Sequence, residues 1–208
     1  MAKDQEQKFS EVLGAVTTGL LKFVGGASEL TLAAEEKNSE DLYRARFAGL
    51  VPEVHTAAGV VTVRYPRRLH PFTFRKHNGQ LTVNASVPWA VEIDGGAGRV
   101  TADLSSLQLT RLELGGGASH VSVVLPRPSG TVRVRIGGGA SNVTLRRPHD
   151  VAARVSVSGG ASHLTLDNQH LDAVGGGLDL TSPDYETTED RYDIEVVGGA
   201  SSLTVDRP

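Results

Sequence analysis

RLELGGGASHVSVVLPRPSG (111–130), VRVRIGGGASNVTLRRP (132–148) and ARVSVSGGASHLTLD (153–167) are three spellings of one phrase, and their shared register decides how the chain is read. The alanine of each GGAS or GGAG marks that register at Ala97, Ala118, Ala140 and Ala161, at intervals of 21, 22 and 21 residues. A period of this length is the signature of stacked repeats, in which one unit buries its apolar face only against its neighbours. Counting from the alanine as zero, apolar residues fall at −6 and −4 (Leu112 and Leu114, Val134 and Ile136, Val155 and Val157). They return at +3 and +5 (Val121 and Val123, Val143 and Leu145, Leu164 and Leu166). Alternation on both sides is strand periodicity, one face buried and one wet. The parity changes between zero and +3, so a corner or bulge resets the pleat there, where Gly and Ser accept a bend.

Each unit therefore reads as strand, Gly-rich corner, strand and turn. The fold class expected is all-β: a single-stranded, right-handed parallel β-solenoid (β-helix) of about eight or nine rungs, with equivalent residues in files about 4.8 Å apart. Ala27 and Ala200 mark further units in GGASELTL and GGASSLTV. Ala58 in AAGVVTVRYP, Asn78 in HNGQLTVNAS and the region near Gly175 in VGGGLDLT are read as degenerate copies. Phe9, Val12, Leu13 and Val16 have helical spacing and read as a short capping helix. The domain division expected is thus a polar tail and capping helix over 1–18 and a solenoid over 19–208. Asp206-Arg207-Pro208 would close the last edge against further strand addition.

The 208 residues include 21 Lys and Arg, 24 Asp and Glu and no cysteine, for a net charge of −3. That balance gives no electrostatic case for nucleic acid, and disulfides and thiolate metal sites are excluded. No apolar run approaches the length of a membrane span and no leader pattern is seen, so no integral membrane segment is expected and the location expected is cytoplasmic. No cofactor or metal is expected.

One cationic cluster, Arg64, Arg67, Arg68, Arg75 and Lys76, is interleaved with Phe72 and Phe74 and could hold an anionic ligand or a stacked base. Arg111, Arg133 and Arg154 form an outward file at −7 that could attract an anion, although a solvated face explains it better. Glu92 and Glu113 share position −5 on adjacent units, the carboxylate separation used by retaining glycosidases, but nothing implies a cleft around them. At +4 stands a hydroxyl file of Thr31, Thr62, Thr82, Thr101, Ser122, Thr144, Thr165 and Thr204, explained by cross-strand Thr pairing. His120 and His163 share position +2 two repeats apart, too far to bind one Zn²⁺ alone. Trp89 reads as core.

The repeats GGASELTL, GGGASHVSVVL, GGGASNVTL, GGASHLTL and GGASSLTV resemble those of the bacterial toast-rack, or "putative adhesin", family of β-solenoid domains, from about Leu21 onward. Some relatives sit at the membrane end of envelope-stress signalling proteins. The resemblance implies an interaction or scaffold role and brings no catalytic residues. The reading is a non-enzymatic interaction module whose partner is a protein, with self-association included. Anionic-ligand binding through 64–77 and a carbohydrate-active wall at Glu92 and Glu113 are the alternatives.

Overall fold

The computed structural model describes residues 6–35, 39–65 and 77–207. Every regular element among them is a strand. Along the chain, β1 (Gln7–Val12) precedes the first repeat, β2 (Gly19–Val24) and β3 (Ala27–Glu35). β4 (Asp41–Ala48) and β5 (Glu53–Ala57) follow, then β6 (Val60–Arg64) and β7 (Asn78–Asn84). Three further repeats give β8 (Pro88–Asp94) and β9 (Ala97–Asp103), β10 (Gln108–Leu114) and β11 (Ala118–Val124), and β12 (Thr131–Ile136) and β13 (Ala140–Arg146). The last strands are β14 (Ala152–Val157), β15 (Gly160–Leu166), β16 (Gln169–Val174), β17 (Leu178–Thr181), β18 (Arg191–Val196) and β19 (Gly199–Asp206).

These strands form two sheets, not a single-stranded right-handed parallel β-solenoid, and the expected fold class is corrected accordingly. A ten-stranded sheet runs β1-β4-β7-β3-β9-β11-β13-β19-β15-β16, and a nine-stranded sheet runs β17-β14-β18-β12-β10-β8-β2-β6-β5. Repeats place their first strand in the smaller sheet and their second in the larger, and pair in parallel with neighbouring repeats. Both ends are antiparallel. β4 and β5 run backwards along β7 and β6, and β16 and β17 run backwards along β15 and β14. Spatial order also departs from chain order, since β2–β3 lies between β6–β7 and β8–β9. Likewise β18–β19 lies between β12–β13 and β14–β15.

The physical reason is that the repeats are interchangeable in register. Six alanines share one file in the order Ala27, Ala97, Ala118, Ala140, Ala200 and Ala161. Any copy fits beside any other, so connections and ends choose the neighbours. The chain's last repeat is therefore internal, and β19 closes no edge.

No capping helix forms among the described residues. β1 pairs antiparallel with β4, Phe9 packs edge-on against Phe47 at 5.8 Å, and Val12 is 63% exposed. An available sheet edge and an aromatic partner outweigh a weak helical spacing, and Gly14 at φ 53 turns the chain away after β1. Ala58 is no corner either: with Gly59 it forms the two-residue turn of the β5–β6 hairpin, with φ of 47 and 81. Val61 and Val63 consequently pair with Leu21 and Phe23 in the smaller sheet. Asn78 opposes Glu29, two positions from the alanine file, and Gly175 belongs to the reversed link between β16 and β17.

Between the sheets lies one apolar cluster. Leu21, Phe23, Val91, Ile93, Leu112, Leu114, Val134, Ile136, Val155 and Val157 from the smaller sheet are all buried in it. Leu30, Leu32, Val100, Val121, Val123, Val143, Leu145, Leu164 and Leu166 enter from the larger. Each such side chain contributes roughly 1.5–3 kcal/mol by leaving water. Trp89 is fully buried, and its indole N–H donates to the Asn84 carbonyl at 2.7 Å, so the ring is core.

The corner sets how closely repeats approach. A Cβ added at Gly138 would lie 2.5 Å from the Gly116 carbonyl oxygen, and one at Gly198 would lie 2.6 Å from that of Gly138. Gly95, Gly116 and Gly159 meet neighbouring backbone just as closely. At the next position there is room: Gly117 has its nearest atom at 3.7 Å and Gly139 has none within 4 Å. Gly116→Ala should therefore lower stability by about 3 kcal/mol, the cost of overpacking against backbone that cannot swing aside. Gly117→Ala should shift the thermal midpoint little; equal midpoints for the two variants would refute the close approach.

Candidate functional site

The outer faces of the two sheets carry regular files of polar side chains, and they differ in how those groups are used. On the smaller sheet, position −5 runs Lys22, Glu92, Glu113, Arg135, Glu195 and Ser156. Glu92 and Glu113 are direct neighbours, as their spacing requires. Glu92 is nearly buried and accepts from Arg111, and Lys22 Nζ lies 3.1 Å away, while Arg111 Nε is 3.5 Å from Glu113. Arg111 thus bridges the two carboxylates, and Lys22 adds a second cation to Glu92.

The arginine file is interrupted. Arg111 opposes Arg133, but Asp193 from β18 stands between Arg133 and Arg154. Arg154 donates to both oxygens of Asp193 at 3.0 and 2.9 Å, and this hydrogen bonding raises the guanidinium pKa further above its ordinary value. Arg133 lies 3.3 Å from Glu195. The insertion of β18 supplies Asp193, and no spacing in the sequence signals it.

Arg64 closes β6 and is exposed. It borders a depression with Tyr65, Gly25, Gly26, Asp94, Gly95 and Gly96. The Tyr65 ring is packed among Phe23, Phe47 and His77, and burial pushes its hydroxyl pKa up to about 12. Arg67, Arg68, Phe72, Phe74, Arg75 and Lys76 lie outside the described residues.

The larger sheet presents a different surface. Its hydroxyl file runs Thr31, Thr101, Ser122, Thr144, Thr204 and Thr165 in spatial order. Thr62 and Thr82 do not belong to it, because Thr62 is in the smaller sheet and Thr82 opposes Ala33. Beside it runs a second file of Glu29, Arg99, His120, Asn142, Ser202 and His163. Asn142 and Ser202 separate the two histidines, by about 14 Å at parallel-strand spacing. Among the described residues no ion pair engages Arg99 or His120, and no cluster of metal-ligating side chains occurs.

One buried cluster was not anticipated. Arg147 occupies the inward +7 position held by Leu104 and Leu125 in earlier repeats, and its side chain is 0% exposed. It donates to Asp167 at 2.6 Å, and Arg207 reaches the same carboxylate at 2.8 Å. Burial lowers the Arg147 pKa from its ordinary value, against the pull of Asp167. The inward parity of +7 was the available signal.

A profile described as the N-terminal domain of toast_rack, DUF2154, matches residues 3–146. The chain belongs to the toast-rack family. A structure described as a "putative cell adhesion protein" from Clostridium sporogenes aligns over 99% of this chain and 100% of that one. The TM-score is 0.74 at 18% identity, a likeness of fold. A "putative adhesin" from Bacteroides fragilis aligns over 100% and 98% at 6% identity, with a TM-score of 0.32. No curated protein matches. The repeats of this toast-rack chain continue past the matched residues, through β14–β15 and β18–β19.

The Arg147 cluster makes a two-sided prediction. Asp167→Ala, which strands a buried guanidinium, should cost about 3–5 kcal/mol in denaturant unfolding. Arg147→Met, which restores the apolar file of Leu104 and Leu125, should be neutral or stabilising. A destabilised Arg147→Met together with a neutral Asp167→Ala would mean that the cluster is not buried as described.

Proposed function

We propose that this toast-rack chain is a non-enzymatic protein-interaction module that docks a protein partner on the outer face of its larger sheet. The observation carrying this reading is the contrast between the two faces. Along the middle of the smaller sheet most charges pair with one another, Arg135 excepted, whereas Arg99, His120 and Asn142 stand exposed on a regular two-file surface beside the hydroxyls. Rigid polar files suit recognition, because a partner orders few side chains on binding. The adhesion description of the Clostridium sporogenes structure agrees with such a role. Glu92 and Glu113 read as structural, because both carboxylates are taken up in ion pairs with Lys22 and Arg111.

A second reading concerns Arg64. Its exposed guanidinium borders a depression lined largely by glycine backbone, a setting that can receive an anion, and the remaining basic residues up to Lys76 follow directly in sequence. Salt-sensitive binding of polyphosphate that is lost in Arg64→Glu would support it.

The interaction reading is tested by affinity capture from the native source with identification of the captured protein. Arg99→Glu combined with Asn142→Glu should weaken capture about tenfold or more, and Arg135→Glu on the opposite sheet should not. Equal loss from both faces, or none from either, would remove the proposed docking face.

A further inference from the structure

The β18–β19 pair is inserted between two units that precede it in the chain, and the walls of its slot match one another. Ala140 and Ala161 both oppose Ala200, Asn142 and His163 both oppose Ser202, and Thr144 and Thr165 both oppose Thr204. In the smaller sheet Val134 and Val155 both oppose Ile194, while Ile136 and Val157 both oppose Val196. β13 and β15 are consequently in register with each other, as are β12 and β14. If the inserted pair left, the walls could close in parallel, so that two interfaces are lost and one is recovered. Withdrawal is cheaper here than at a slot whose walls are mismatched.

The inserted pair is also portable. VVGGASSLTV repeats the common phrase and brings its own corner, and every copy of the chain carries it. Its tether, residues 182–190, includes the exposed acidic side chains Asp184, Glu186, Glu189 and Asp190. Extended, nine such residues reach roughly 30 Å, enough to lead the pair into a copy lying alongside. The tether is held by Ser182, which is buried and exchanges two hydrogen bonds with the Ala153 backbone at 2.9 Å, by Tyr185 between the Arg154 and Arg191 guanidinium groups at 5.7 and 4.5 Å, and by the Gly130 N–H donating to Asp190 at 2.6 Å.

We propose that the slot between β12–β13 and β14–β15 is an exchange site that accepts the β18–β19 pair of a second copy of this chain, giving a dimer in which each copy completes the other. The contacts in the exchanged dimer are those of the single chain, so concentration and tether set the balance between them. This inference rests on strand order alone, and its failure leaves the docking face proposed above untouched.

The chain contains no cysteine, which makes a clean test available. Asn142 and Ser202 oppose each other with their side chains turned away from the core, at a parallel spacing of about 4.8 Å that a disulfide can bridge. Full-length N142C and S202C are mixed reduced at high concentration, incubated, then oxidised with glutathione disulfide, and the heterodimer is measured by mass. Ser122 and Thr144 oppose each other in the same way on β11 and β13, which do not exchange, so an S122C and T144C mixture reports chance collision. Exchange gives several-fold more heterodimer in the first mixture, growing with incubation time. Equal yields in the two mixtures, or no heterodimer in the first, would overturn the proposal.

Discussion

Backbone touching backbone at the corner is the constraint on which the remaining structure depends. Each repeat turns from the smaller sheet into the larger within two or three residues, and in five of the six units the second residue before the alanine passes so near the adjoining backbone that a methyl group has nowhere to go. That residue is glycine in all six units, whereas the residue before it varies through Val24, Asp94, Gly115, Gly137, Ser158 and Val197. Close approach there fixes the level of every strand, and the alternation of the flanking residues then carries the apolar side chains into one interior. Small alanines on the inner edge, nearly all buried, complete the same file.

What the sequence reveals follows from what repeats and what does not. Parity alone identifies the inward residues Leu112, Leu114, Val121 and Val123, and shared register aligns the six alanines. Neighbours stay hidden, because identical copies carry no information about which lies beside which. Alternation is also the same on either side of a corner, so Val61 and Val63 can be assigned to the wrong sheet until the Ala58-Gly59 hairpin is seen. Phe9 misleads for a different reason, since its edge-strand role depends on Phe47, far along the chain. Of the candidate site, the Glu92 and Glu113 adjacency is legible from position −5. The breaking of the arginine file by Asp193 is not, because it follows from the insertion of β18.

The same insertion separates the two outer faces chemically. By bringing Asp193 and Glu195 among Arg133, Arg135 and Arg154, it interleaves the charges of the smaller sheet. On the larger sheet it contributes Ser202 and Thr204, which continue the polar files, and meets a charge only at their margin, where Asp206 lies 4.0 Å from Arg146. One strand pair thus leaves one wall largely paired along its middle and the central files of the other open to contact.

The placement of β2–β3 has a counterpart in time. Leu21 and Leu30 are made early, yet their neighbours on one side, Val61 and Gly79, and on the other, Val91 and Val100, emerge much later. Loop closure over such separations precedes any gain from burial, which makes folding slow relative to a chain of local contacts. During synthesis the early apolar strands therefore wait in the nascent chain with open hydrogen-bonding edges, an interval in which mispairing competes with folding.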